Sequence, residues 1–336
     1  MNFSIGKLAI GFLVAALVAA GLVLVGPHRI ALATEATGST DLAQKLRDNA
    51  QRGHHNLTAF TLSNGKVSFA GLGADEHTEV EIGSVTKMFT AELLRQEVES
   101  QHLTYETKVG EVLDTGDSPI SDVTLTELTE HTSGLPRLAQ GTSFLSLTSA
   151  FSGKNPYANE TKADILSAAK DAKLTGRGTE SYSNLGYALL GLVLEESSGK
   201  SYEQLLRANI LEPAGMEETY LMSLGAVPDN ASRGLTNRGR SAEPWEMPGT
   251  GPAGAIRSTA HDMTKFAEWM LAYGDFTHGW QENPVEDGGG FCHNGGTYGY
   301  SSTLIIDPRT RHAAFVNNDS PAGTENITRT IFKELP

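Results

Sequence analysis

Apolar residues fall along this chain in three rhythms, and each predicts a different kind of element. One is unbroken. Leu8 to Val25 (LAIGFLVAALVAAGLVLV) is eighteen consecutive apolar residues preceded by Lys7. A second rhythm alternates. Leu57–Leu62 and Lys66–Leu72 flank Ser63-Asn64-Gly65, and Asn-Gly between alternating runs predicts a hairpin because both residues tolerate positive φ. Near the other end, Phe291–Gly296, Ser301–Ile306 and His312–Asn317 read as three more strands, the last two joined by Asp307-Pro308-Arg309-Thr310-Arg311. The third rhythm is helical. It covers Leu42–Gln51, then Val85–Val98 with Met88, Phe89, Leu93 and Leu94 on its apolar side.

Helices dominate the middle of the chain: Thr126–Glu130, Ala163–Ala172, Leu185–Ser197, and Tyr202–Ile210, begun by Ser201 and stopped before Pro213. Leu185–Leu194 is apolar on nearly every side and is expected to be buried. A polar loop without a period runs from Pro136 to Asn159, and residues 34–40 read as a short linker. Thr259 with Asp262 predicts a capping box for a helix through Met270. A closing helix from Thr324 carries Ile327, Ile331 and Phe332 on one side. Strands at both ends and helices between them predict an α+β fold. Its mainly antiparallel sheet, flanked by helices, comes from residues 41–105 and 240–336, and 106–239 form an inserted all-helical domain.

The unbroken run changes the setting. Eighteen apolar residues just span a bilayer, and Ala31-Leu32-Ala33 fits a processing site before Thr34. Residues 1–33 are therefore a signal peptide or an N-terminal membrane anchor. Either way the chain is expected to be exported, extracellular or membrane-anchored with its folded part on the outer side.

Composition narrows the function. The 336 residues are 39% hydrophobic and 20% charged, with a net charge of −14 and no Lys/Arg-rich run, so nucleic acid is excluded as a partner. A single cysteine, Cys292, permits no internal disulfide and reads as a small buried hydrophobe. No Cys/His grouping has zinc spacing. His54-His55 reads as an exposed pair before a strand.

Three short segments carry candidate chemistry. In Gly83-Ser84-Val85-Thr86-Lys87, residues i and i+3 at a helix start share a face, so the Ser84 hydroxyl and Lys87 amine can touch. The free N–H groups of that helix start favour a developing oxyanion. In Tyr182-Ser183-Asn184, the i and i+2 side chains of an extended turn point one way. A phenol beside a lysine ammonium has its phenolate favoured. In His293-Asn294-Gly295-Gly296-Thr297, consecutive glycines on a strand admit an extended substrate. Each segment alone has a bland reading: a capping serine, a buried tyrosine, a bulge.

Together, in this order and about a hundred residues apart, they form a set. With Tyr-x-Asn in the middle, it resembles the class C β-lactamase and DD-peptidase (penicillin-binding protein) family of serine hydrolases, including related esterases. Leu125–Pro136, Ser183–Gly191 and Gly251–Ala260 are similar to further segments of that family. The resemblance covers about residues 42–320 and makes His131 part of a structural turn. It implies a β-lactamase/transpeptidase-like fold with the active site between sheet and helices. It also implies Ser84 as nucleophile, Lys87 and Tyr182 as proton acceptors, and Asn184, His293, Asn294, Gly295 and Gly296 as substrate-binding residues. The oxyanion hole would be the N–H groups of Ser84 and Gly296, with neither metal nor organic cofactor required.

The sequence departs from the family pattern on that last strand. His293 stands where efficient β-lactamases usually carry lysine, and Asn294 replaces a threonine that helps hold a substrate carboxylate. With an ordinary pKa of about 6.5, His293 would be neutral at pH 7.5 and charged at pH 5.5. No arginine lies between Ser258 and Pro308, so no fixed cation is expected there. The expected activity is acyl-enzyme hydrolysis of a small peptide, β-lactam or ester. A D-alanyl-D-alanine carboxypeptidase leads, a β-lactamase or esterase with the same site is second, and a non-catalytic penicillin-binding-type sensor is third. Intact Ser84, Lys87, Tyr182 and Asn184 weigh against the sensor.

Overall fold

The computed structural model describes Val14, Ala16, residues 26–139 and residues 152–336. The apolar run Leu8–Val25 lies outside the described residues apart from Val14 and Ala16, as does most of the first half of the Pro136–Asn159 loop. Among the described residues no helix is long and apolar enough to cross a membrane.

A seven-stranded antiparallel sheet is built from both ends of the chain. Its strands are β1 (Ala36–Gly38), β2 (Leu57–Ser63), β3 (Lys66–Leu72), β7 (Gln281–Glu282), β8 (Phe291–Gly296), β9 (Ser301–Asp307) and β10 (His312–Asn318), in the order β1-β3-β2-β10-β9-β8-β7. The β2–β3 hairpin closes on Ser63↔Lys66 with Asn64 and Gly65 at φ 52 and 71, the two positive angles that a two-residue turn needs. Phe60 lies opposite Phe315, so β2 and β10 join the N-terminal hairpin to the C-terminal strands.

Alternation along β2 sends Leu57 and Ala59 to one face and Phe60 and Leu62 to the other. The first face packs on helices α1 (Thr40–Asn49) and α8 (Glu325–Lys333) through Leu42, Leu46, Ile327 and Ile331. The second face meets the main core. There α2 (Thr86–Glu99), α5 (Asn184–Ser198) and α7 (Ala260–Tyr273) converge, and Phe89 stacks on Phe266 with ring centroids 3.8 Å apart. The helix expected to be buried is so: Leu185 and the run Tyr187–Leu190 lie inside, and Ser183 Oγ caps it by accepting from Gly186 N. The helices α3 (Leu125–Thr129), α4 (Lys162–Lys170) and α6 (Tyr202–Leu206) surround it.

Several local expectations need correction. Residues 34–40 are not a linker: they contain β1, which pairs Ala36 with Leu72 and lies outside the predicted 41–105 boundary. The insertion is not all-helical. Its strand β5 (Tyr220–Leu221) joins β4 (Val80–Glu81) and β6 (Ile256–Ser258) in a three-stranded sheet ordered β4-β6-β5. Strands of two or three residues are too short to show a period. The helix begun by Ser201 does not stop before Pro213; a π-turn at Arg207–Leu211 interrupts the ladder and helix resumes through Ala214, so the missing proline N–H costs no bond. Thr259 caps α7, but the Asp262 carboxylate turns away to Glu218 N and Thr219 Oγ1, leaving half a capping box. His54 is buried, its ring nitrogens bonded to Gln51 N and Gly323 O.

The stacked Phe89–Phe266 pair joins a helix of the sheet side to the helix that carries Ser84 onward, and both rings are fully buried. Phe89→Ala should lower the unfolding free energy by about 3–5 kcal/mol, read as an earlier urea midpoint. A loss below 1 kcal/mol would mean that the core closes around the void.

Candidate active site

Ser84 stands in a 3₁₀ turn, Gly83–Val85, that runs directly into α2. The turn presses against β8. Gly83 has φ 52, and a Cβ there would lie 2.6 Å from Gly296 N; a Cβ on Gly295 would collide with Ile82 O and come within 2.9 Å of Ser84 N. Only glycine permits this approach. It sets the Ser84 and Gly296 amides side by side. Thr297 N bonds to Tyr300 O on the β9 side, so by strand alternation the Gly296 N–H faces the other edge. There β7 pairs only with Phe291 and Cys292.

Three distant segments converge on Lys87, which is fully buried. Its Nζ lies 3.2 Å from Ser84 Oγ, 2.8 Å from Asn184 Oδ1 and 2.6 Å from Ala253 O. Tyr182 donates its hydroxyl to Ser84 Oγ at 2.7 Å. Burial holds the Lys87 amine well below the usual lysine range, with the Arg137 charge adding to the effect. Burial also raises Tyr182, outweighing its hydrogen bond to Ser84. A tyrosinate beside a lysine ammonium is therefore not what this site favours. The Lys87 amine donates to Ser84 Oγ, Asn184 Oδ1 and Ala253 O, and Ser84 Oγ also accepts from the Tyr182 hydroxyl.

The β8 residues divide between two faces. His293 is buried on the Ser84 side, its Nδ1 donating to Asn294 O at 2.6 Å. Burial, then the nearby Lys87, pushes it down to about 4. It is neutral at pH 5.5 as well as at pH 7.5, contrary to the expectation from an unperturbed imidazole. Asn294 turns to the opposite face, where its amide donates to Glu325 Oε1, so its side chain is not in the cleft. Gly295 and Gly296 act through backbone alone. His131 has the role expected of a turn: at φ 57, its Nδ1 accepts from Ser183 N and its ring lies 4.4 Å from that of Tyr182.

Two residues escaped the sequence reading. Arg137 follows the Leu125–Pro136 segment, accepts Asn184 N at its carbonyl, and sets its exposed guanidinium 4.9 Å from the Tyr182 ring centroid. A fixed cation is thus present, from a different part of the chain than the one searched. Tyr157, in the loop without a period, packs edge-on to Trp245, which in turn meets Tyr298. The signal for Arg137 was its position next to a matched segment; Tyr157 had none.

Residues 41–330 match the model of the Beta-lactamase family. The chain belongs to that family, and it is a serine hydrolase. Penicillin-binding protein 4 of Amycolatopsis lactamdurans is 24% identical over 326 residues, covering 84% of this chain and 81% of that one. D-alanyl-D-alanine-carboxypeptidase/endopeptidase AmpH of Escherichia coli (strain K12) is 30% identical over 199 residues, 58% of this chain and 48% of that protein, about half its length. A penicillin binding protein from Bacillus halodurans superposes with a TM-score of 0.70 at 21% identity, over 86% of this chain and 98% of the other, and shares the fold.

The buried histidines give this beta-lactamase-family site an acid limit. His293 and His131 are held down to about 4 and about 3, against 6.5 when unfolded. Below pH 6.5 the unfolded state binds more protons, so stability is present above that value and is lost as pH falls toward 4. The slope approaches about 1.4 kcal/mol per pH unit per histidine. Urea unfolding at pH 7 and pH 4.5 should show this fall, and His293→Gln should flatten it. An unchanged slope in the variant would mean that His293 is already protonated in the fold.

Proposed function

We propose that this serine hydrolase acylates itself on Ser84 with D-amino-acid peptides of the cell-wall type, as a D-alanyl-D-alanine carboxypeptidase or related peptidase. The observation that carries the reading is the closed Ser84–Lys87–Tyr182 network with the Arg137 cation beside it. In the mechanism this supports, Lys87 takes the Ser84 proton as Oγ attacks the acyl carbon, and the amides of Ser84 and Gly296 receive the oxyanion. The proton passes through Tyr182 to the departing amine, and water then reverses the sequence. The Asn184 side chain, fixed by accepting from Lys87 at its Oδ1, orients the substrate through its amide. The printed names of two relatives, a penicillin-binding protein and a carboxypeptidase, agree with this substrate class.

A second reading, hydrolysis of uncharged esters, draws on His293, which is neutral and offers no charge to a leaving-group carboxylate. Arg137 tips the balance toward anionic substrates. The leading reading also sets the enzyme outside the cytoplasmic membrane, on the strength of the apolar Leu8–Val25 run.

Intact-mass detection of acyl-enzyme with a D-Ala-D-Ala peptide, penicillin and a short neutral ester tests the substrate. Ser84→Ala should abolish every adduct. Arg137→Ala should slow acylation by the two carboxylate substrates about tenfold, the lower end for a charge-assisted hydrogen bond, and leave the ester rate alone. Equal losses on all three would remove Arg137 from carboxylate recognition. For location, a reporter active only in the cytoplasm, fused after Pro336, should stay silent; activity would overturn the export reading.

A further inference from the structure

Away from the active site, three potential ligands converge that spacing along the chain could not reveal. His77, Glu218 and His261 place their ligating atoms within 4.8 Å of one another. His77 Nδ1 is 2.8 Å from Glu218 Oε1, and His261 Nδ1 is 3.6 Å from Glu218 Oε2. The two imidazole rings have centroids 4.8 Å apart. Topology explains the meeting. His77 precedes β4, Glu218 precedes β5 and His261 follows β6. In the antiparallel order β4-β6-β5, the starts of the outer strands and the end of the central one share one edge. Each strand of the small sheet contributes one ligand.

We propose that His77, Glu218 and His261 bind one divalent transition-metal ion, of the zinc or nickel type, which clasps the three-stranded sheet at that end. Two imidazoles and a carboxylate suit such ions and do not suit magnesium or calcium. The buried Nδ1 of His261 has no hydrogen-bond partner among the described residues. At 3.6 Å from Glu218 it is too far to donate, so the His77–Glu218 pair leaves it unsatisfied. Ligands about 2.1 Å from a tetrahedral ion stand ~3.4 Å apart. The His261–Glu218 gap already has this size, His77 must draw back slightly from Glu218, and rotation of the half-exposed His77 closes what remains of a cluster whose ligating atoms lie within 4.8 Å of one another.

The surroundings favour a cation. Thr259 Oγ1 donates to Glu218 Oε2 at 2.7 Å and fixes the carboxylate's orientation, as outer partners of metal ligands do. Asp75 and Glu76 add negative charge beside His77. Asp262 is not a ligand, since its oxygens are taken by Lys265, Glu218 N and Thr219. A water fills the fourth position. The clasp holds the far end of β4, the strand that leads into the Ser84 turn, so the ion contributes to stability rather than to proton transfer.

Calorimetric titration of the chelator-treated full chain with Zn²⁺ alone, with thermal unfolding in parallel, tests this. One ion should bind per chain and raise the melting temperature. Glu218→Gln and His261→Ala should each weaken binding at least tenfold. His77→Ala, on an exposed side chain, should do the same with hydrolysis of a neutral ester unchanged, which verifies folding. Co²⁺ should give the visible absorption of a tetrahedral site in the wild type and lose it in His77→Ala. Absence of stoichiometric Zn²⁺ binding overturns the proposal. So does undiminished affinity in the folded His77→Ala protein, which would place the ion at the active-site histidines or elsewhere.

Discussion

Everything in the catalytic cleft depends on keeping one amine out of water. Burying an ammonium without compensation costs several kcal/mol; burial holds the Lys87 amine well below the usual lysine range, and three partners meet its polar hydrogens. Those partners come from the turn before α2, the start of α5 and the turn before β6. The amine is thus the point on which the two layers register. Displacing any one segment would leave a polar atom unsatisfied in the interior, so the same bonds that shape the candidate site also hold the layers in place.

Legibility in the sequence followed the range of the forces involved. The Asn64-Gly65 turn, the Ser183 cap, the buried α5 and the Ser84/Lys87 spacing are local, set within a few residues, and all could be read. The short strands β1 and β5 exist only because a distant partner waits for them, and nothing in three residues announces that. The charge states were misread for a related reason. Only the depth of the fold shows that burial raises Tyr182 against its Ser84 bond and the Arg137 charge, and that burial and Lys87 together lower His293. Asn294 was misassigned by ignoring alternation: with His293 facing Ser84, its successor must face α8.

Net charge and local charge part company here. A chain at −14 would repel anions at long range, yet the cleft holds Arg137 within 5 Å of the Tyr182 ring. At physiological salt, charges farther apart than about 8 Å are largely screened, so the guanidinium dominates the field close to Tyr182. Its mounting helps. The Arg137 carbonyl caps the start of α5, so the backbone is fixed although the side chain is exposed.

The pairing of β2 with β10 has a consequence in time. A chain that emerges N-terminus first, from a ribosome or through a pore, shows its opening hairpin long before the strand that covers it. Leu57 must wait for Asn318, some 260 residues later, before that edge is closed. Contacts of such sequence separation form slowly, and an unpaired hydrophobic edge invites association with other chains meanwhile. The last strands of this protein therefore decide when the first can be safe, and truncation near the C-terminus would release a sheet with its centre missing rather than a shorter enzyme.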